Sequence, residues 1–162
     1  MDKIRHEFVD FSTTYRIGIL CYFTDFDAQD VIGNYKKKLE QFGYECDVLM
    51  YVDNKVIDPK IFLQTFSWED LEKKTQIPHS PRTDRFIVKK YDLLFNLFFE
   101  DCPQLIHLAN QSQARCRVGP FNEAVKGCSD ILIPITDGNN LESLIIYINK
   151  TLNFKPYERK QI

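Results

Sequence analysis

The run IGILCYF at residues 17–23 is apolar from end to end and stops at the polar pair Thr24-Asp25. A strand with one face in solvent alternates between apolar and polar residues, and this run does not. Unbroken apolarity is typical of a strand that is buried on both faces of a parallel sheet. This run therefore predicts a sheet covered by helices on both sides.

The residues that follow predict a helix and a second strand. Asp27 is placed to cap a helix over residues 27–42, whose apolar positions recur at helical spacing, and Gly43 ends it. The apolar stretch at residues 44–52 then predicts the second strand. A strand, a helix and a strand within about forty residues form a βαβ unit, whose crossover is right-handed.

Strands and helices continue to alternate along the chain, which indicates an α/β fold. We predict a three-layer Rossmann-like sandwich with a five- or six-stranded, mostly parallel sheet. The link between residues 121 and 130 is short for a parallel crossover, so we predict an antiparallel strand near the C-terminus. The further strands are expected at residues 61–66, 91–99, 114–121 and 130–135, and the further helices behind Ser67, Asp84, Asp101 and Asn139.

Composition favours one soluble domain. At 162 residues the chain has the usual length of a single domain, so we expect residues 1–162 to form one α/β domain with residues 1–14 as an N-terminal extension. The net charge is −2 and acids and bases are interspersed, which argues against a nucleic-acid partner. The one basic run, residues 36–38, is expected on a solvated helix face.

The cysteines and the apolar runs indicate a cytoplasmic protein. The five cysteines are irregularly spaced and include no C-x₂-C pair, which favours free thiols in a reducing compartment over a zinc site. The N-terminus lacks the apolar stretch of a signal peptide. No apolar run approaches the roughly 18 residues of a membrane span, so we expect no membrane association.

A ligand site would lie at the carboxyl ends of the strands, where open α/β sheets bind ligands. The first strand is followed there by Thr24-Asp25-Phe26-Asp27, which is acidic and free of glycine, instead of the G-x-G-x-x-G turn of dinucleotide sites. We therefore expect no nucleotide cofactor. The carboxylates expected at this edge could bind Mg²⁺ or act as an acid–base pair, or they could only cap helices; they are Asp25, Glu100, Asp101 and Asp137.

Arg115 and Arg117 form a second candidate, because they alternate on a predicted strand and so share one face. They lead into the Gly-Pro turn that precedes Asn122. Two guanidinium groups on one face could hold an anionic ligand or a partner's carboxylate. Alternatively, they protect an edge strand from pairing with another chain. We count Arg115, Arg117 and Asn122 with Asp25, Glu100 and Asp137 as the candidate ligand-binding residues.

The chain shows no recognisable catalytic or metal motif. His6, His79 and His107 are scattered, and His79 lies in a proline-rich loop without an evident partner acid. Ser112 and Cys116 lack the G-x-S-x-G pattern of a nucleophile elbow. We therefore predict no catalytic residue and no metal ligand.

Residues 91–122 carry a family resemblance. The run YDLLFNLFFEDCPQLIHLANQSQARCRVGPFN resembles an uncharacterised family of short bacterial α/β proteins, a domain of unknown function. The resemblance extends from the first strand to the last capped helix. Residues 67–78 keep a Trp, a Leu and a later Pro but not the family's usual pattern there. The resemblance implies a fold and no activity.

The same region has a weaker likeness to the N-terminal half of heptosyltransferase-type glycosyltransferases. Tyr91-Asp92-Leu93 begins a similar strand, and Ser112, Ala114, Arg117 and Gly119 match a Ser-x-Ala-x-x-Arg-x-Gly pattern. This likeness implies the acceptor-side half alone, because 162 residues leave no room for the half that binds the nucleotide-sugar donor.

Three hypotheses of function follow. The first is a non-catalytic module that binds a small polar ligand or another protein, including a second copy of itself. The second is a small enzyme, or a glycosyltransferase-like remnant, that acts on a polar, sugar-like metabolite through Asp25, Glu100 and Asp137. The third is a structural subunit that is stable only with a partner.

Overall fold

A computed structural model describes residues 14–53, 57–136 and 138–153 of the chain. These residues form six strands and four helices, with a 3₁₀ turn at Trp68–Asp70 and another at Lys126–Cys128. In chain order the elements are β1 (Arg16–Tyr22), α1 (Phe26–Gln41), β2 (Glu45–Tyr51), β3 (Thr65–Phe66), α2 (Pro81–Val88), β4 (Leu93–Leu97), α3 (Pro103–Gln111), β5 (Cys116–Pro120), β6 (Ile131–Ile133) and α4 (Leu141–Leu152).

The strands form one open sheet in the order β3-β2-β1-β4-β5-β6, and every neighbouring pair is parallel. This arrangement confirms the predicted α/β, Rossmann-like sandwich.

The prediction of an antiparallel strand near the C-terminus was wrong, because β6 pairs with β5 in parallel, with Val118 opposite Ile131. The ten residues of the link can span about 33 Å, which exceeds the length of a five-residue strand. The single 3₁₀ turn at Lys126–Cys128 is therefore enough to return the chain.

Each face of the sheet has its own apolar core, which explains the unbroken apolar run of β1. Ile17 and Ile19 pack with residues of α1 and α4, whereas Leu20 packs with residues of α3 on the opposite face. All three side chains are completely buried. The apolar core thus lies on both sides of β1, at the centre of the sheet.

Several helices begin at other residues than the sequence predicts. Asp25 caps α1 instead of Asp27, and Asn140 caps α4 instead of Asn139. Ser80 caps α2, so this helix begins before Asp84 instead of behind it. The physical reason is that neighbouring polar residues cap equally well, and apolar periodicity does not choose between them. The capping box at Ser67 is present as predicted, although it opens a 3₁₀ turn.

In the part of the chain that the structure describes, no helix combines the length and the apolar character that crossing a membrane requires.

Candidate functional site

The strand order places a topological switch point between β1 and β4. From β1 the chain adds β2 and β3 on one side, and it then returns to add β4, β5 and β6 on the other side. The connections that leave β1 and β4 therefore diverge, which leaves a crevice at the carboxyl ends of these strands. The residues that follow Tyr22 and Leu97 surround this crevice.

Two tyrosines stand at this end of the sheet. Tyr22 ends β1 and Tyr51 ends β2, and their ring centroids are 5.8 Å apart. Tyr51 is buried, with 5% of its surface exposed, and Tyr22 is half-buried. Burial raises the pKa of both phenols, to about 12 for Tyr51, and the nearby charge of Asp53 raises them further. Both hydroxyl groups are therefore neutral hydrogen-bonding groups at physiological pH.

A cysteine and a glutamate follow β4 at the same end of the sheet, since Cys21 of β1 lies opposite Leu97 of β4 in this parallel pair. Burial raises the pKa of Tyr22, and the nearby charges of Asp53 and Glu100 raise it further. The Phe99 N–H donates to Glu100 Oε2 at 2.9 Å, which turns this carboxylate back over the end of β4. We call Tyr22, Tyr51, Asp53, Glu100 and Cys102 the crevice cluster.

Cys102 is the N-cap residue of α3, and it is only 4% exposed. Burial raises the pKa of its thiol, and Glu100 and Asp53 add to the effect. Backbone N–H groups of the first turn of α3 oppose this shift without reversing it. The thiolate is the nucleophilic form of cysteine, so Cys102 is held in its unreactive form.

The crevice cluster suits a ligand that donates hydrogen bonds. Carboxylates accept hydrogen bonds from hydroxyl and ammonium groups, and a tyrosine hydroxyl can donate or accept. Tyrosine rings also offer apolar faces for stacking. The charges of Asp53 and Glu100 would repel a phosphate group.

Of the predicted ligand residues, the structure brings Glu100 alone into this cluster. The Oδ1 atom of Asp25 caps α1 by accepting a hydrogen bond from the Ala28 N–H at 2.7 Å. Asn122, beyond the end of β5, accepts a hydrogen bond from the Ala124 N–H at 2.8 Å. Asp137 lies outside the described residues.

Arg117 lies on β5 with its guanidinium group turned toward the chain's own polar groups. Its Nε and NH2 atoms donate to the two carboxylate oxygens of Asp130 at 3.2 and 3.1 Å. Its NH1 atom donates to Asn110 Oδ1 and to the Ala109 carbonyl. These contacts join α3 to the loop before β6.

Arg115 precedes β5 at the amino end of the sheet, opposite to the crevice, and its NH1 atom lies 3.7 Å from Asp92 Oδ1. β5 itself lies between β4 and β6, so the two arginines do not protect a sheet edge.

The histidines stand apart from the crevice cluster. His79 does have a partner acid that the sequence did not reveal, since its Nδ1 atom lies 3.1 Å from Asp84 Oδ2 in an exposed pair. Burial lowers the pKa of His107. His6 lies outside the described residues. Among the described residues, no group of three or more histidine, cysteine or acidic side chains is arranged to hold a metal ion.

Sequence reasoning missed four members of the crevice cluster: Tyr22, Tyr51, Asp53 and Cys102. Tyr22 and Tyr51 lie inside the two strands predicted at residues 17–23 and 44–52, and Cys102 directly follows Asp101, behind which a helix was expected. Their position along the chain could have indicated them, because each of them stands within two residues of a strand end or at a helix start. Strand order was needed to show that these positions are neighbours.

Comparison with known proteins identifies one family. The family described as "Family of unknown function (DUF6913)" matches residues 2–154, which confirms the predicted resemblance to an uncharacterised family. No curated protein matches the chain. The bacterial origin and the likeness to heptosyltransferases stay predictions.

Proposed function

The chain belongs to the DUF6913 family, whose function is unknown, and we propose that it binds a small polar molecule in the crevice between β1 and β4. The observation that carries this proposal is the crevice cluster itself. Two tyrosines, two carboxylates and the start of α3 stand at the carboxyl ends of β1, β2 and β4, beside the switch point at which doubly wound sheets bind their ligands.

The ligand we propose is hydroxyl-rich and either uncharged or cationic, such as a sugar or an amino sugar. Glu100 and Asp53 accept hydrogen bonds from hydroxyl or ammonium groups, and the tyrosine rings pack against the ligand's apolar face. A nucleotide is a poor fit, because the loop after β1 has no glycine and Asp25 occupies the start of α1. This class of ligand is narrower than the small polar ligand that the sequence suggested.

We propose binding rather than catalysis at this cluster. The most obvious nucleophile there, Cys102, has a raised pKa and stays protonated at neutral pH. Neither histidine in the described residues interacts with the members of the cluster through a hydrogen bond or an ion pair. A protonated thiol and two carboxylates can hold a ligand without supplying an activated nucleophile.

We also propose that residues 1–162 form one domain that resides in the cytoplasm. All five cysteines are free and buried, which suits a compartment where thiols stay reduced. The balanced surface charge gives no support to a nucleic-acid partner.

A thermal-shift panel tests the proposed ligand class. The probes are glucose, mannose, glucosamine and putrescine, compared with inorganic phosphate and AMP. We expect at least one probe of the first group to raise the melting temperature, because a ligand at 100 times its Kd stabilises the folded state by about 2.7 kcal/mol. The shift should be lost in Glu100→Gln and kept in Glu142→Gln, which changes an exposed carboxylate on α4.

Three results would contradict the proposal. The first is that none of the sugars and amines stabilises the protein. The second is stabilisation by phosphate or AMP instead. The third is an equal shift in the Glu100→Gln and Glu142→Gln variants, which would place the binding site elsewhere on the molecule.

A further inference from the structure

The outer edge of the sheet is open along the first half of β2. Within the described residues, β3 pairs with β2 only at Met50 and Tyr51. The residues of β2 before Met50 thus have β1 on one side and none of the described strands on the other. Such an edge presents unpaired backbone groups to any chain that can reach it.

The hydrogen-bond pattern shows which residues face this open edge. The Tyr51 carbonyl accepts a hydrogen bond from the Phe23 N–H, and the Glu45 N–H donates to the Tyr15 carbonyl, so the odd-numbered residues of β2 bond toward β1. The Met50 N–H donates outward, to the Gln64 carbonyl. Because this alternation is regular along a parallel strand, Cys46 and Val48 also direct their N–H and C=O groups outward.

Gln29 on α1 explains why β3 does not extend along this edge. Its Oε1 atom accepts hydrogen bonds from the Phe62 N–H at 2.9 Å and from the Leu63 N–H at 3.4 Å. These bonds hold residues 62–63 against α1. The Phe62 ring then lies over Gly33, where a Cβ atom would come within 2.8 Å of it.

The diverging segments leave a groove of about 390 Å³ beside β2. Its volume lies in the range of small-ligand pockets. We call it the β2-edge groove, and it lies beside the open stretch of β2, where a longer β3 would pair. It is bordered by Cys46 and Val48 from β2, by Phe62 and Gln64, and by Lys37 and Glu40 from α1.

The β2-edge groove is lined by two lysines and two carboxylates, and three of these four charges are paired within the described residues. Glu40 accepts a hydrogen bond from Lys36 at 3.0 Å, and Asp47 accepts hydrogen bonds from Lys89 and Tyr91. Lys37 is exposed and forms no ion pair with another described residue. An incoming carboxylate would therefore find a cation that is not already paired.

We propose that the β2-edge groove binds an extended, acidic peptide segment of a partner protein, which adds a strand beside Cys46 and Val48. The backbone groups of these two residues supply the main-chain hydrogen bonds of strand addition. Phe62, which is 60% exposed, packs against an apolar side chain of the peptide. Lys37 pairs with an acidic one. The groove lies along β2 and α1 rather than in the crevice, so this inference is independent of the proposed ligand.

Selection from a random heptapeptide display library against the full chain tests the inference. We expect the enriched peptides to alternate β-branched with other residues and to carry Asp or Glu. Resynthesised peptides should bind about tenfold more weakly to Phe62→Ala and to Lys37→Glu. The matched controls Phe121→Ala and Lys150→Glu change an equally exposed aromatic residue and an exposed lysine elsewhere, and they should leave binding unchanged.

Amide chemical shifts provide the second measurement. Titration with an enriched peptide should move the Cys46 and Val48 amide signals, and proline at the pairing positions of the peptide should abolish binding because it removes the N–H donor. The inference is overturned if no peptide is enriched, if the four variants bind alike, or if these amides do not move. It is also overturned if the chain dimerises and Phe62→Ala dissociates the dimer, since a second copy would then occupy the groove.

Discussion

At the scale of single residues, Arg115 and Arg117 show how position decides the role of a side chain. The Arg117 side chain is 11% exposed, and its guanidinium group binds Asp130 through two atoms. The Arg115 side chain is 43% exposed and approaches Asp92 at 3.7 Å. A buried charge that loses its partner is costly, whereas an exposed ion pair contributes little.

We therefore expect Arg117→Met to lower the free energy of unfolding by about 3 kcal/mol, because it removes the guanidinium group that donates two hydrogen bonds to the partly buried Asp130 carboxylate. Arg115→Met should cost no more than about 1 kcal/mol. Urea denaturation followed by circular dichroism measures both values.

The double variant Arg117→Met/Asp130→Leu is the control for this comparison. It removes both charges, so it should recover much of the stability that Arg117→Met loses. Equal losses in Arg115→Met and Arg117→Met would contradict a structural role for the buried pair and would favour the alternative that both arginines await a ligand.

At the scale of elements, the start of α1 lies at the proposed binding crevice and also contributes to the stability of the helix. Asp25 follows β1 at the crevice, and it was expected to bind a ligand. Its carboxylate instead accepts the Ala28 N–H, which otherwise lacks an intrahelical partner. A cap of this kind stabilises the helix that covers one face of the sheet.

We expect Asp25→Ala to lower the free energy of unfolding by about 1 kcal/mol, because the cap is lost. Asp25→Ser, which keeps a capping oxygen, should stay within about 0.5 kcal/mol of the wild-type protein. Thermal and urea denaturation give these values. If Asp25→Ser abolished the ligand-induced shift while leaving stability intact, Asp25 would belong to the binding site as well as to the helix.

At the scale of the whole molecule, buried thiols and phenols make the free energy of unfolding depend on pH in the alkaline range. Burial raises the pKa of Cys46 to about 12 and that of Cys116 to about 11, from an ordinary value of 9.0. The other groups whose pKa is raised mainly by burial are Cys21, Cys102, Cys128, Tyr22, Tyr35, Tyr44, Tyr51 and Tyr91. In the folded protein these groups hold their protons above the pH at which they ionise in the unfolded chain.

We therefore expect the free energy of unfolding to fall as pH rises above 9. Above that pH the unfolded chain binds fewer protons than the folded protein, so the slope of stability against pH is negative. Each such group contributes up to about 1.4 kcal/mol per pH unit between its two pKa values. The raised pKa of Lys89 acts in the same direction, because its stabilisation is present below 10.5 and is lost as pH rises through the folded value.

Urea denaturation at pH 7, 9, 10 and 10.5 checks this expectation. Tyr91→Phe is a matched variant, because it removes the hydrogen bond to Asp47 and one ionisable phenol. It should be less stable than the wild-type protein at pH 7 by about 1 kcal/mol, and it should lose less stability between pH 9 and 10.5. A free energy of unfolding that stays constant up to pH 10.5 would show that folding does not raise the pKa values of these groups.

The sequence by itself determined the elements and the layers of this protein. The unbroken apolarity of residues 17–23 and the helical spacing of Val31, Tyr35 and Leu39 indicate burial on particular faces. Burial produces a periodic pattern of apolar residues in the sequence, because strand and helix geometry set which residues share a face. Helix boundaries were predicted less well, since Asp25 and Asp27 are chemically equivalent caps and packing alone selects one.

Only the tertiary structure decided the strand order, the parallel direction of β6 and the composition of the candidate sites. Tyr22 and Cys102 are eighty residues apart in the sequence, and nothing local to either one indicates the other. The open edge at Cys46 and Val48 likewise depends on a contact between Gln29 and residues 62–63. Contacts between distant segments leave no periodic pattern in a single sequence, because the residues around each segment favour the same secondary structure whether or not the two segments are in contact.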